Sequence, residues 1–232
     1  LFLRSHGMAT AHPLCRWRQF AVALFCAGCA VIGVTVSAAP LAAIVRDAAG
    51  AVVADAVVYA IPAAGTAAGP RSARNVVIEQ VGREFVPYVT VVQAGTTVAF
   101  PNRDKLLHHV YSFSPTKTFE IKLYSGAAPF DVLFDKVGVV TIGCNIHDWM
   151  IAYVYVVDTP YFARSDSAGK AAVGEVAAGE YDLYLWHPQQ RNQPATTRLK
   201  LDGKTAAELA LTIDVTPRRQ KFKPPANPAS YQ

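Results

Sequence analysis

Seven residues near the middle of the chain hold three side chains that can bind a metal ion. Cys144, His147 and Met150 offer a thiolate, an imidazole and a thioether. A fully extended segment of this length would carry these groups too far apart to share one ion. The segment is therefore predicted to curl into a tight loop. Gly143 and stretches rich in Val, Ile and Tyr flank it, which indicates a loop between two β-strands.

A further ligand must come from another strand. His108 and His109 are the candidates, because they stand at the start of a predicted strand. Successive side chains on a strand point to opposite faces, so only one of the two is expected to reach the ion. Two imidazoles and a thiolate, with a weak thioether ligand, form the ligand set of blue-copper electron-transfer sites. Thiolate and thioether suit Cu(I), and imidazole accepts both oxidation states.

The first 38 residues have the pattern of an export signal. Residues 1–19 contain no acidic residue and carry Arg4, Arg16 and Arg18. An apolar run over residues 20–36 follows and closes on Val36-Ser37-Ala38, where a signal peptidase can cleave. Cleavage after Ala38 is predicted. The mature protein is then expected to be periplasmic and no longer attached to the membrane.

Two alternatives remain for this segment. The apolar run is only marginally long enough to span a bilayer as a permanent anchor, and Cys29 could be a lipid attachment point. Met8 is a candidate first residue, because the sequence begins with Leu1. Removal of the segment takes away three of the four cysteines and leaves Cys144. A lone cysteine in an oxidising compartment cannot form an internal disulfide, which favours a metal-binding role.

The charge of the mature chain argues against a nucleic-acid partner. Without the three arginines of the signal, 19 basic residues stand against 17 acidic ones. A protein that binds nucleic acid would need a broad basic face, and the sequence shows none. The remaining basic excess lies partly in residues 215–232, which are predicted to form a disordered, Pro-rich tail.

The strong patterns of the mature chain are those of β-strands. Runs rich in Val, Ile, Tyr and Phe are separated by Gly, Pro, Asn and Asp at short intervals, and no helical period persists over three turns. An all-β fold is therefore predicted. The predicted strands are Val52–Tyr59, Val76–Val81, Tyr88–Val92, Thr97–Phe100, His109–Phe113, Val137–Ile142, Ile151–Val157 and Thr205–Leu211.

The loop and its surroundings resemble the cupredoxins, the family of blue-copper proteins. Cys144-x-x-His147-x-x-Met150 has the loop spacing of amicyanin, and Phe134-x-Lys136-x-Gly138 is similar to the strand before it. The segment from Asn102-Arg103 to His108-His109-Val110 is similar to the Asn-Arg…His-Asn-Val segment of amicyanin. Exported proteins labelled "methylamine utilisation protein" share this likeness.

This resemblance implies a Greek-key β-sandwich over residues 76–157 with one type 1 copper ion. The implied metal ligands are His108, Cys144, His147 and Met150. Asn102 and His109 are implied to support the ligands, and His109 stands where the family usually has Asn. An apolar ring around His147 is expected to dock partners, with Trp149 and Leu107 as its exposed members.

The resemblance implies a periplasmic carrier of single electrons. Its partner would be a redox protein, for example a c-type cytochrome or a dehydrogenase. Storage, delivery or tolerance of copper is the alternative role. An enzyme is not expected. Multicopper oxidases and nitrite reductases need further ligands, commonly in paired His-x-His strands, and this sequence has no His-x-His motif. A binuclear CuA site needs two cysteines, and the mature sequence is expected to keep one.

The flanks resemble the carboxypeptidase regulatory-like family, a small transthyretin-like β-sandwich. The matching motifs are Asp47…Gly50…Asp55-Ala56-Val57-Val58, Asp166…Gly169-Lys170 and Ala178-Gly179-Glu180-Tyr181. The likeness implies that residues 40–66 hold its first strands and residues 158–214 the others, with the cupredoxin inserted between them. The alternative is a tandem in which residues 41–60 add strands to the central domain.

Overall fold

β-Strands are the only regular elements in the part of the chain that the computed structural model describes, residues 37–64, 76–192 and 196–216. The all-β prediction is confirmed. The strands are β1 (Ala38–Arg46), β2 (Val57–Pro62), β3 (Val76–Val77), β4 (Glu79–Gln80), β5 (Phe85–Val86), β6 (Val89–Gln93), β7 (Thr96–Ala99), β8 (His108–Ser114), β9 (Lys117–Tyr124), β10 (Val132–Phe134), β11 (Gly138–Gly143), β12 (Ile151–Val157), β13 (Phe162–Arg164), β14 (Lys170–Ala177), β15 (Gly179–Trp186), β16 (Thr196–Leu201) and β17 (Ala207–Thr212).

Two sheets combine strands from both ends of the described chain, and we call them the outer sandwich. Their orders are β14-β1-β17 and β13-β2-β15-β16. Strand β1 pairs antiparallel with β14 and parallel with β17. The facing residues form one core that includes Leu41, Val58 and Tyr181. The likeness of this sandwich to the regulatory-like family stays a prediction.

Strands β3 to β12 form the central sandwich. A five-stranded sheet has the order β6-β12-β11-β8-β9, a three-stranded sheet has the order β10-β7-β3, and β4 and β5 form a hairpin. Their core contains Phe85, Phe100 and Phe134 together with Cys144 and Met150. Two residues of the predicted metal site are thus part of the hydrophobic core.

Strand pairing brings three chain segments to one edge of the central sandwich. Strand β11 pairs antiparallel with both β8 and β12, so the start of β8, the end of β11 and the start of β12 meet there. Strand β9 also ends at this edge, because His108 pairs with Tyr124. Loops 101–107, 125–131 and 144–150 all leave from this edge.

Two predicted strands differ widely from the observed ones, and five others are shifted by one or two residues at their ends. Val52–Tyr59 is replaced by β2, which begins five residues later and ends at Pro62. The backbone of Asp55 is left-handed (φ 62°), which breaks the extended chain. The buried Ser165 hydroxyl holds this irregular segment, since it donates to Val53 O at 2.8 Å and accepts from Ala56 N at 2.9 Å. Val76–Val81 is divided into β3 and β4. The strand predicted over Ile151–Val157 is confirmed.

The predicted signal and tail lie mostly outside the described residues. Of segment 1–38, only the last two residues are described: Ser37 Oγ donates to Gly203 O at 2.5 Å, and Ala38 begins β1. Of tail 215–232, Val215 and Thr216 are described, and Val215 bridges to Gln190. No helix in the described ranges has the length and apolar character needed to cross a bilayer.

An aromatic seam, which we define as Tyr59, Tyr153, Tyr155 and Trp186, joins the two sandwiches. The ring centroids of Tyr155 and Trp186 are 4.7 Å apart. The hydroxyls of Tyr59 and Tyr155 lie 3.0 Å from each other. Burial, reinforced by the Tyr155 hydroxyl, raises the pKa of Tyr59 well above its usual range. The two sandwiches therefore share apolar surface and hydrogen bonding.

Removal of the Trp186 ring tests the seam. Trp186→Ala should lower the free energy of unfolding by about 3–5 kcal/mol, because a large buried side chain is lost from a packed interface. Urea denaturation followed by circular dichroism measures this change. Val137→Ala is the control, since Val137 is 57% exposed, and it should change the value by less than about 0.5 kcal/mol. Equal stabilities for the two variants would contradict the seam.

Candidate metal centre

Three metal-binding side chains converge at the edge of the central sandwich. One ligand atom each from His108, Cys144 and His147 lies within 4.8 Å of the others. Cys144 Sγ is 3.9 Å from His108 Nδ1 and 3.7 Å from His147 Nδ1. Within the described ranges, no other group of three His, Cys, Asp or Glu side chains has such spacing.

Each of the three side chains is positioned by a different part of the fold. His108 is the first residue of β8, where residues alternate between buried and partly exposed, and it is fully buried. Cys144 follows the last residue of β11 and is 3% exposed. His147 lies in the loop between β11 and β12 and is half-buried. The group is thus buried at the strand end and accessible at the loop.

Met150 closes the loop and is 1% exposed. Its N–H donates to His147 O at 2.9 Å, and its carbonyl accepts from Cys144 N at 3.3 Å. It belongs to the same hydrophobic core as Cys144. These bonds explain how seven residues form the curled loop that the ligand spacing requires. Coordination by the Met150 sulfur stays a prediction.

Cys144 is placed where its thiolate is stabilised. Burial raises the pKa of the thiol, but hydrogen bonds from the His108 side chain and from the N–H groups of His109 and Ile146 outweigh it. The pKa of Cys144 therefore lies below its usual range. A thiolate is the form that binds metal ions, so the pocket favours the reactive form of the sulfur.

The two imidazoles have opposite electrostatic environments. Burial lowers the pKa of His108, but contacts with Cys144 and Asp104 outweigh burial and raise it. Burial lowers the pKa of His147, and the positive charges of His108 and Arg83 lower it further. Metal ions bind the neutral imidazole. The lowered pKa of His147 thus favours its neutral, metal-binding form, and His108 lies between the Cys144 sulfur and the Asp104 carboxylate.

Asp104 is absent from the predicted site residues. Its Oδ2 lies 2.8 Å from His108 Nε2, the ring nitrogen that faces away from Cys144. Metal-bound histidines commonly donate their second ring N–H to a carboxylate. An acidic residue four positions before a candidate ligand was the available signal in the sequence.

Asn102 shapes the loop that leads to His108. Its side-chain amide donates to Leu106 O and Tyr124 O, both at 2.8 Å, and its Oδ1 accepts from Asp104 N at 2.9 Å. The side chain is almost fully buried. Three hydrogen bonds from one residue therefore fix the path of the chain between β7 and β8.

His109 lies outside the three-residue group. Its ring lies 5.8 Å from that of Tyr111, and its Nε2 is 3.0 Å from Glu120 Oε1. Its backbone N–H nevertheless reaches the Cys144 sulfur. The structure thus brings the His108 side chain, and only the backbone of His109, to the thiol.

One apolar side chain contacts His147, and other apolar side chains are exposed in the loops at the same edge. Leu107 is 50% exposed, whereas Trp149 is half-buried and packs with its ring 5.1 Å from that of His147. Further exposed apolar residues lie in the loops at this edge. Together with Leu107 they form what we call the apical patch: Leu106, Leu107, Phe130 and Ile146.

The donor set fits a copper ion. One thiolate and two imidazoles are close enough to converge on one ion, and a buried thioether ends the same loop. This combination of soft sulfur and imidazole is that of blue-copper sites. The residues that would hold the ion are His108, Cys144 and His147, with Met150 as the weak fourth ligand.

No protein-family model matches the chain, and no curated protein matches it. Among solved structures, a copper-containing nitrite reductase from Thermus scotoductus is 24% identical, with a TM-score of 0.35; the match covers 42% of this chain and 25% of the reductase. A pseudoazurin from Methylobacterium extorquens is 24% identical (TM-score 0.32, covering 37% of this chain and 77% of that one). A reduced Cu(I) form of an amicyanin variant is 20% identical (TM-score 0.33, covering 44% and 99%).

These three solved structures are of cupredoxin proteins. They match less than half of this chain, and at these TM-scores they carry no argument about its function. The chemistry of the site itself is the basis for assigning a role.

The two adjacent histidines can be distinguished by substitution. His108→Gly should abolish the colour of the copper-loaded protein, and added imidazole should restore it by entering the vacated position. His109→Asn keeps the backbone N–H that reaches Cys144 and should keep the colour. Visible absorption of both variants loaded with Cu(II) measures this, and the reverse pattern would assign the ligand to His109.

Proposed function

We propose that the chain is a periplasmic type 1 copper protein that carries single electrons between redox partners. The close and largely buried group of His108, Cys144 and His147 is the observation that carries this proposal. A copper ion bound there would supply one-electron redox chemistry. The chain's own residues would hold the ion, exclude water and present one edge of the site to a partner.

Strand pairing and hydrogen bonds within the loop hold the ligand positions. Strand β8 fixes His108, and the hydrogen bonds between Cys144, His147 and Met150 fix the loop. A protein that supplies the same ligand positions to both oxidation states needs little rearrangement when an electron arrives or leaves. This rigidity favours electron transfer over the release of copper, which a delivery protein would need.

The apical patch is the proposed docking surface. Its four residues are 45–50% exposed, and they lie in the loops that leave the edge where His147 is accessible. Redox partners use small, weak interfaces that allow rapid exchange. The proposed partner is a c-type cytochrome or a redox dehydrogenase that meets the protein at His147, with Leu107 and Trp149 in the contact.

Export is supported by the sequence pattern of residues 1–38 and by the cysteine content of the chain. Burial of Cys144 also limits the access of oxidants to its sulfur. We place the mature protein in the periplasm, free of the membrane.

The thiolate can be tested directly. Cys144→Ala should abolish the intense thiolate-to-Cu(II) charge-transfer band and leave at most a pale copper signal, because no other cysteine lies in the mature sequence. Visible absorption and electron paramagnetic resonance of the Cu(II) protein measure this, and far-UV circular dichroism confirms that the variant is folded. A band that persists in the folded variant would rule out the proposed site.

Docking can be tested separately from the copper site. Leu107→Glu should lower the second-order rate constant for electron transfer to a small c-type cytochrome by at least about tenfold, because it places a charge in the centre of an apolar contact. The absorption spectrum and reduction potential should not change. Val137→Glu is the matched control, since Val137 is exposed at the opposite end of β11 from Cys144. Equal stopped-flow rates for both variants would exclude the apical patch.

A further inference from the structure

Asp104 connects the buried histidine to a separate hairpin. One carboxylate oxygen, Oδ1, accepts from Gly82 N at 2.7 Å. The other, Oδ2, accepts from Arg83 N at 2.8 Å and lies 2.8 Å from His108 Nε2. The side chain of Asp104 is only 16% exposed. Three hydrogen-bonding partners therefore fix the position of this carboxylate.

The hairpin that holds Asp104 has an unusual backbone. Gly82 and Arg83 have φ values of 62° and 57°, and Val81 and Glu84 exchange backbone hydrogen bonds around them. Left-handed backbone is costly for a residue such as arginine. Here it directs two successive N–H groups towards one carboxylate, an arrangement that binds anions. The geometry keeps Asp104 ionised and immobile beside His108.

We propose that Asp104 is a positioning residue that orients His108 for copper and lowers the reduction potential of the site. This inference rests on the proposed copper-carrier function. The carboxylate accepts a hydrogen bond from His108 Nε2–H. The metal ion would then bind Nδ1, the ring nitrogen that faces Cys144, in place of the proton that Nδ1 donates to the sulfur. Such a carboxylate partner fixes the ring and makes the imidazole a stronger ligand.

The direction of the effect follows from charge. Reduction adds one electron, supplied by the redox partner, and lowers the charge of the metal by one as Cu(II) becomes Cu(I). An anionic carboxylate behind His108, with little solvent between them, stabilises the more positive state. Asp104 therefore favours Cu(II), and its loss favours Cu(I).

The decisive experiment compares Asp104→Asn with the wild-type protein. The amide keeps the shape but removes the negative charge, and we expect Cu(II) affinity to fall 10- to 100-fold. Cu(I) affinity should change less. Each tenfold difference between the two losses raises the reduction potential by about 59 mV, which spectroelectrochemical titration measures. Glu120→Gln is the matched control: it changes a carboxylate that contacts His109, and its potential should equal that of the wild type.

A second measurement needs no copper and no variant. Long-range proton–nitrogen correlation spectra of the metal-free wild-type protein should show a proton on His108 Nε2 that exchanges slowly with solvent. A ring without this proton would overturn the inference. So would a folded, blue Asp104→Asn protein with the wild-type potential. Wild-type protein that takes up Cu(II) without a charge-transfer band would instead refute the copper-carrier function, and the metal-free spectrum would still decide the role of Asp104.

Discussion

A cysteine ligand in a hydrophobic core is the constraint on which the rest of this structure depends. Burial alone favours the neutral thiol of Cys144, because an isolated charge in apolar surroundings is costly. The His108 ring and two backbone N–H groups reverse that preference. The groups that do so come from β8 and from the 144–150 loop. The sulfur can therefore be buried and ready for a metal only if these two segments meet.

The loop before β8 holds His108 beside the 144–150 loop. Asn102 ties the loop to β9 through Tyr124, and Asp104 ties it to the β4–β5 hairpin. The Asn102 bond fixes the backbone of the loop, and Asp104 also contacts the ring of His108. Buried polar groups with full hydrogen bonding of this kind specify one arrangement. The central sandwich thus supports the metal-binding group through polar contacts as well as through its apolar core.

The outer sandwich contributes support at another face. Its sheet containing β2 and β15 contacts β6 and β12 through the aromatic seam. Strand β12 begins directly after the 144–150 loop. Packing at the aromatic seam therefore stabilises the strand that holds one end of this loop. The loops that carry the apical patch lie at the strand ends and not at the aromatic seam. The proposed docking surface and the structural support therefore involve different surfaces of the central sandwich.

The sequence by itself determined the all-β class, the strand Ile151–Val157 and the group of residues from which a metal site can be built. These features depend on local spacing and on residue type. Residue spacing left His108 and His109 open, and the family resemblance implied His108. Only the tertiary structure shows that the His108 side chain faces the thiol, because this depends on the register of β8 against β9 and β11. It also revealed Asp104, whose role arises from contacts with a hairpin twenty residues earlier in the chain. Strand β9 was not predicted, although its sequence Phe119-Glu120-Ile121-Lys122 alternates between apolar and charged residues as a half-buried strand does.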